Sequence, residues 1–206
     1  MADLTQAKTI GGIGAVLVLL SFVPTAGALF GIAGFVMVLV AIRYISQDLK
    51  DKKIFNDMAI AVVLAGVGLV VGSFIVLATV LSAFAGGYFG AGPAFAPSPN
   101  VTLAQWITFG TTIGLGLVGA WVFFLASAVF LRRTYKTMGS RLGVGTFGAA
   151  GTLYLLGAAT AVVGIGFLLI FVAQILTAVA FWSIPAVHRP QPAIAISAPM
   201  GPQPAG

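Results

Sequence analysis

Every lysine, arginine, aspartate, glutamate and histidine in this chain falls into four short clusters, at residues 3–8, 43–57, 132–141 and 188–189. Between the clusters run six apolar stretches that hold none of these residues. In hydrocarbon, with no water to bond the backbone, such stretches must satisfy their peptide groups as helices. If each crosses a bilayer once, all four clusters fall on the same side. All ten Lys and Arg then share that side, and the positive-inside pattern marks it as cytoplasmic. The expected fold is all-α, a polytopic bundle of six transmembrane helices in three hairpins. It sits in the cell membrane with both termini cytoplasmic.

Composition argues the same way. The chain is 60% hydrophobic and 7% charged, against about 25% charged residues in a soluble domain. So little charge cannot keep a water-exposed surface of this size solvated. The net charge of +6 does not point to nucleic acid, because the basic residues flank apolar spans. There they orient the chain and meet anionic head groups. The partners expected are the lipid bilayer and other membrane proteins or a second copy. The chain has no cysteine, which removes disulfides, thiolate metal sites and cysteine nucleophiles. Its single histidine, His188, stands in the tail, so no two-histidine haem or metal site can form within the membrane. No cofactor is expected.

The first span is read as residues 10–23 and the second as 26–45, with a turn at Pro24. One straight helix over 10–42 would be about 50 Å long, against a hydrocarbon core of about 30 Å. A cleaved signal peptide is the competing reading, since Ala26-Gly27-Ala28 resembles a cleavage site. Asp3 beside Lys8, and the apolar run that follows at once, favour an uncleaved anchor. Residues 46–57 form the first charged loop, with Asn56 or Asp57 as the N-cap of a third span at 58–84. Residues 85–104 form the long outer loop, where Asn100-Val101-Thr102 is a glycosylation sequon at Asn100. Tyr88, Phe89, Phe95 and Trp106 are placed to form an aromatic belt. The fourth span is 105–131, and residues 132–145 form the second charged loop.

Residues 146–184 carry no charge and no proline. A helix over all of them would be about 58 Å long, so two spans are expected, broken at or just before Gly164-Ile165-Gly166. From Pro185 the chain becomes rich in proline and alanine. The domain reading is a six-helix domain over 1–185 and a disordered cytoplasmic tail over 186–206. The first and last hairpins are loosely alike, as in IGAVLVLL against AGTLYLLG. Duplication and the self-similarity of apolar sequence both account for that.

Few residues carry chemistry. Gly-x-x-x-Gly pairs at Gly27/Gly31, Gly68/Gly72 and Gly110/Gly114 suit close helix packing. Ser and Thr hydroxyls in the spans can bond their own helix carbonyls and need no function. Gln174 is costlier, because an amide in hydrocarbon needs partners. It either bonds a neighbouring helix or contacts a pore or substrate. Proton pumps and many ion-coupled carriers place ionisable groups at mid-membrane, and the spans hold none; Arg43, near the end of the second, can snorkel to the head groups or pair with Asp48 or Asp57. Asp48, Asp51 and Asp57 are interleaved with Lys50, Lys52 and Lys53, which reads as a neutralised loop. No serine–histidine constellation or phosphate-cradling loop is present, so no enzyme is expected.

Three segments, QAKTIGGIGAVLVLL, AIRYISQDLKDKKIFNDMAIA and FWSIP, carry a resemblance to a family. Over residues 5–185 the chain resembles small archaeal multi-pass proteins known only as a domain of unknown function. The resemblance implies an archaeal membrane protein of unassigned activity and transfers no functional residue. The expected role is a non-enzymatic scaffold or accessory subunit of a membrane complex. The alternative is a channel or facilitator for a small neutral or apolar solute, using Gln174 and the threonine-rich start of the fourth span.

Overall fold

The computed structural model describes residues 4–21, 27–88 and 101–185. Among them all regular structure is helical: α1 (Leu4–Leu20), α2 (Gly27–Asp48), α3 (Lys52–Ala85), α4 (Leu103–Leu142), α5 (Gly145–Thr160) and α6 (Gly166–Trp182). Asn100, Phe89, Phe95 and the tail from residue 186 lie outside the described residues.

The helices run further into the charged clusters than the sequence reading allowed. The predicted loop over 46–57 shrinks to three non-helical residues, 49–51. The cap of α3 is Asp51, whose carboxylate accepts from the Lys53 amide at 3.1 Å. The expected cap at Asn56 or Asp57 is thereby corrected. Asp51 also meets Arg141 across the bundle at 3.8 Å, and both contacts draw it to the helix start. The predicted loop over 132–145 shrinks to Gly143 and Val144, because α4 runs on to Leu142 before Gly143 takes φ +69°. Basic side chains are good helix formers and do not end a helix merely by being polar. Leu4–Leu20 likewise starts well before the predicted residue 10.

The break in the last apolar stretch falls where the sequence placed it. Thr160 leads into one 3₁₀ turn, Ala161–Val163, and Gly164 reverses the chain at φ +83°. Glycine reaches that conformation without a Cβ clash.

The helices form a ring. α1 packs on α2 and α6, α6 on α5, α5 on α4, and α4 on α3. α2 and α3, although joined by three residues, share the smallest interface between chain neighbours in the ring. Successive helices are antiparallel, so the charged segments of α1 to α4 gather at one end of the bundle. There Lys8 Nζ donates to the Ile184 carbonyl at 3.2 Å, tying the start of α1 to the end of α6. A cation suits the exposed carbonyls and negative pole of a helix C-terminus. The charged end is also the best packed. Ile42, Ile45, Ile54, Met58, Met138, Phe147, Phe181 and Ile184 are all buried there in one cluster.

Four segments are long and apolar enough to cross a membrane: Leu29–Asp48, Lys52–Ala85, Leu103–Leu142 and Gly145–Val163. The helices Leu4–Leu20 and Gly166–Trp182 are apolar but only 17 residues each, the lower end of the spanning range. Most large side chains on α3 and on the first half of α4 face outward. Leu69, Phe74, Leu103 and Leu115 are each more than 70% exposed, as lipid-facing residues would be.

Candidate functional site: a central cleft

The ring leaves a half-open cleft of about 370 Å³, and every helix contributes to its wall. α1 supplies Val18, and Ser21 just beyond it also lines the wall; α2 supplies Gly31, Ile32, Phe35 and Val38. The opposite wall is Leu131 and Tyr135 from α4, Tyr154 from α5 and Gln174 from α6, with Met58 of α3 below. The floor is closed toward the charged end, because Val38, Met58 and Tyr135 are each at most 5% exposed. The lining is mostly aliphatic and aromatic, with a few polar groups, as in sites for small apolar ligands.

The polar groups of the wall differ in how they are satisfied. Thr177, one turn below Gln174, donates its hydroxyl to the Ala173 carbonyl at 2.8 Å and also interacts with the Tyr135 phenol. Tyr154 packs against Phe124 with ring centroids 6.0 Å apart. Gln174 reaches the cavity from the middle of α6, and among the described residues its amide has no hydrogen-bond partner. The neighbouring-helix bond that would account for this residue structurally is therefore not formed. The amide is open to the cleft, since the fully buried side-chain polar atom without a partner among the described residues is Thr146 Oγ1, and an amide that faces an apolar wall without a partner costs stability. Gln174→Leu is expected to raise the unfolding free energy by about 1 kcal/mol, read as a higher thermal midpoint in detergent. A lower midpoint would show that the amide is satisfied.

The other polar span residues behave as self-bonded helix side chains. Thr79, Thr111, Thr112, Thr152 and Thr160 donate to carbonyls four residues back, at 2.7–3.0 Å. The threonine-rich start of α4 faces outward and takes no part in the cleft, so the solute route that included it is corrected. Arg43 forms no ion pair with Asp48 or Asp57; the one salt bridge among the described residues is Asp51–Arg141.

The glycine pairs separate into three kinds. Gly68 and Gly72 lie under Phe123 and Ala120, where a Cβ would come within 2.6–2.7 Å of those side chains, so α3 and α4 approach closely there. Gly27 and Gly31 sit against Ser21 at the head of the α1–α2 hairpin, and Gly31 also opens the cleft wall. Gly110 and Gly114 face open space, with nothing within 4 Å of a Cβ.

The sequence reading missed the tightest crossings. Gly14 and Gly34 bring α1 and α2 into backbone contact, and Gly157 and Gly166 do the same for α5 and α6. Gly11 and Gly12 make room for the rings of Phe181 and Trp182. The dense glycines in IGGIGA were the available signal, but their spacing is not Gly-x-x-x-Gly. Also missed was Trp121, whose indole donates to the Ala158 carbonyl at 2.9 Å and bolts α4 to α5.

Residues 30–175 match the sequence model of a family described as a protein of unknown function (DUF996). An uncharacterized protein of Methanocaldococcus jannaschii is 32% identical over 187 residues, covering 89% of this chain and 94% of that one. No solved structure matches.

Proposed function

Starting from a chain that belongs to the DUF996 family, we propose a polytopic membrane protein that takes a small, largely apolar solute with one hydrogen-bonding group into its central cleft. The observation that carries this is Gln174, an unpartnered amide on the wall of an apolar cavity. A stabilising bond to the fold would explain the residue without a ligand, and the helices offer none. The proposed molecule is not an enzyme, crosses the bilayer six times and keeps both termini and the charged end in the cytoplasm. The packed floor blocks the way to the charged end in this conformation. That favours a facilitator or receptor that must rearrange over an open channel.

The binding test uses primary alcohols and amides from four to eight carbons. A saturable rise in thermal midpoint is expected with the wild type and is absent in Gln174→Leu. Equal rises in both proteins would overturn the proposal. The topology is tested separately with single cysteines at Ser98, outside the described residues, and at Ser140, which is exposed at the charged end. An impermeant thiol reagent applied to intact cells should label the first and spare the second. The reverse pattern would invert the orientation.

The scaffold or accessory-subunit reading keeps one specific support. Gly110 and Gly114 present an open small-residue face on α4 that nothing among the described residues fills. Such faces let a second helix come close. Native mass spectrometry of gently extracted protein separates the readings, because a stoichiometric second chain would place this face at an interface.

A further inference from the structure

A second cavity, of about 410 Å³, lies at the charged end where α2 turns into α3. It is lined by Arg43, Ser46 and Gln47 of α2 and by Lys52, Phe55 and Asn56 of α3. We infer that this cleft binds a phosphate-bearing lipid head group. The inference is independent of the central cleft.

The charge balance of the wall selects an anion. Two cations line the cleft, and none of the three aspartates of this segment (Asp48, Asp51 and Asp57) does. Among the described residues neither Arg43 nor Lys52 has a salt-bridge partner, while Asp51 is held by Arg141 and by the Lys53 amide. The side-chain amides of Gln47 and Asn56 are likewise free of hydrogen bonds within the described residues. Two cations and two side-chain amides, all four exposed, therefore line one space, and the side-chain acceptors there are the Gln47 and Asn56 amide oxygens and the Ser46 hydroxyl. Ser46 adds no competing donor, because its hydroxyl is spent on the Asp51 carbonyl at 2.8 Å. That bond also fixes the turn that holds α2 and α3 apart. A guanidinium can grip phosphate with two parallel bonds, and an ammonium adds a point charge.

The position selects a lipid over a free ion. Arg43 lies five residues before the end of α2, and the apolar part of α3 begins just beyond Asn56. The donors thus sit at the boundary between polar and apolar surface, with the half-buried Phe55 ring beside them. A head group seated there would leave its chains along the weakly joined seam of α2 and α3.

The test is lipid retention by native mass spectrometry after reconstitution in nanodiscs of phosphatidylglycerol and phosphatidylcholine. The wild type is expected to carry at least one phosphatidylglycerol through delipidation. Arg43→Gln with Lys52→Gln should lower that retention at least tenfold. Lys50→Gln with Lys53→Gln removes the same charge outside the cleft and should leave retention unchanged. Asn56→Asp, which puts a carboxylate into the wall without removing packing, should act like the first pair. Equal losses in the control pair, or no retention by the wild type, would overturn the site. Displacement by millimolar inorganic phosphate would keep the site and assign it to a soluble phosphate.

Discussion

Gly34→Val is expected to leave no folded protein in the membrane fraction. A Cβ at Gly34 would stand 2.5 Å from the Gly14 carbonyl oxygen and 2.6 Å from the Val18 amide nitrogen. In the other direction, a Cβ at Gly14 would stand 2.8 Å from the Gly34 carbonyl oxygen. These neighbours are backbone, so no rotamer change can relieve the clash, and α1 must move away from α2 along its length. Overpacking a core with a flexible neighbour costs about 1–3 kcal/mol. A rigid backbone crossing should exceed that and consume much of a net stability of about 5–15 kcal/mol. Gly110→Ala is the control. Its site is open, and alanine is about 1 kcal/mol better than glycine in a helix, so its thermal midpoint should hold or rise. Normal accumulation of Gly34→Val would show that the α1–α2 crossing is looser than described.

Phe181→Ala should lower the unfolding free energy by about 3–5 kcal/mol, measured by denaturant titration in detergent. Phe181 is fully buried, packs edge-on to Phe147 at 5.1 Å with planes at 90°, and fills the space left by Gly11. Phe147 in turn meets Tyr135 at 5.9 Å. The Phe181 and Phe147 rings together therefore link α1, α4, α5 and α6 at the charged end. Part of the loss is the edge-to-face ring contact, about 0.5–1.5 kcal/mol. Trp182→Ala, on the neighbouring but half-exposed side chain, should cost clearly less. Equal losses would mean that the cluster does not hold the ring together.

The helical content and the pairing into hairpins were legible because charge clusters and long apolar runs separate and count the helices. Gly164 marked a turn for a local reason, a helix that cannot continue through φ +83°, whereas the turn expected at Pro24 lies outside the described residues. Helix ends at the charged loops were not legible. Lys52, Lys53 and residues 132–142 are helical because tertiary partners such as Asp51–Arg141 and the buried Tyr135 and Met138 hold them. Hydropathy reports only where water begins. The cleft was half legible. Gln174 stood out as an amide in apolar sequence, but its lack of a partner depends on six helices at once. Ser21, Tyr135 and Tyr154 carry no signal that would group them, since they come from distant parts of the chain.

The unequal helices have a consequence for the surrounding lipid. The apolar parts of α3 and α4, residues 58–85 and 103–131, reach about 42 Å and 44 Å, while α1, α5 and α6 reach only about 24–26 Å. If these helices span a bilayer as proposed, no single thickness matches both sets, and the molecule would meet the membrane as a step in thickness. In that setting lipid would thin beside the low side of the ring, and the tall hairpin would tilt or draw lipid up around it, at a cost of fractions of a kcal/mol per Å. The steepest step would fall between α4 and α5, about 44 Å beside about 24 Å, with a smaller one between α2 and α3. Bilayer thickness would then act on where the proposed membrane protein resides.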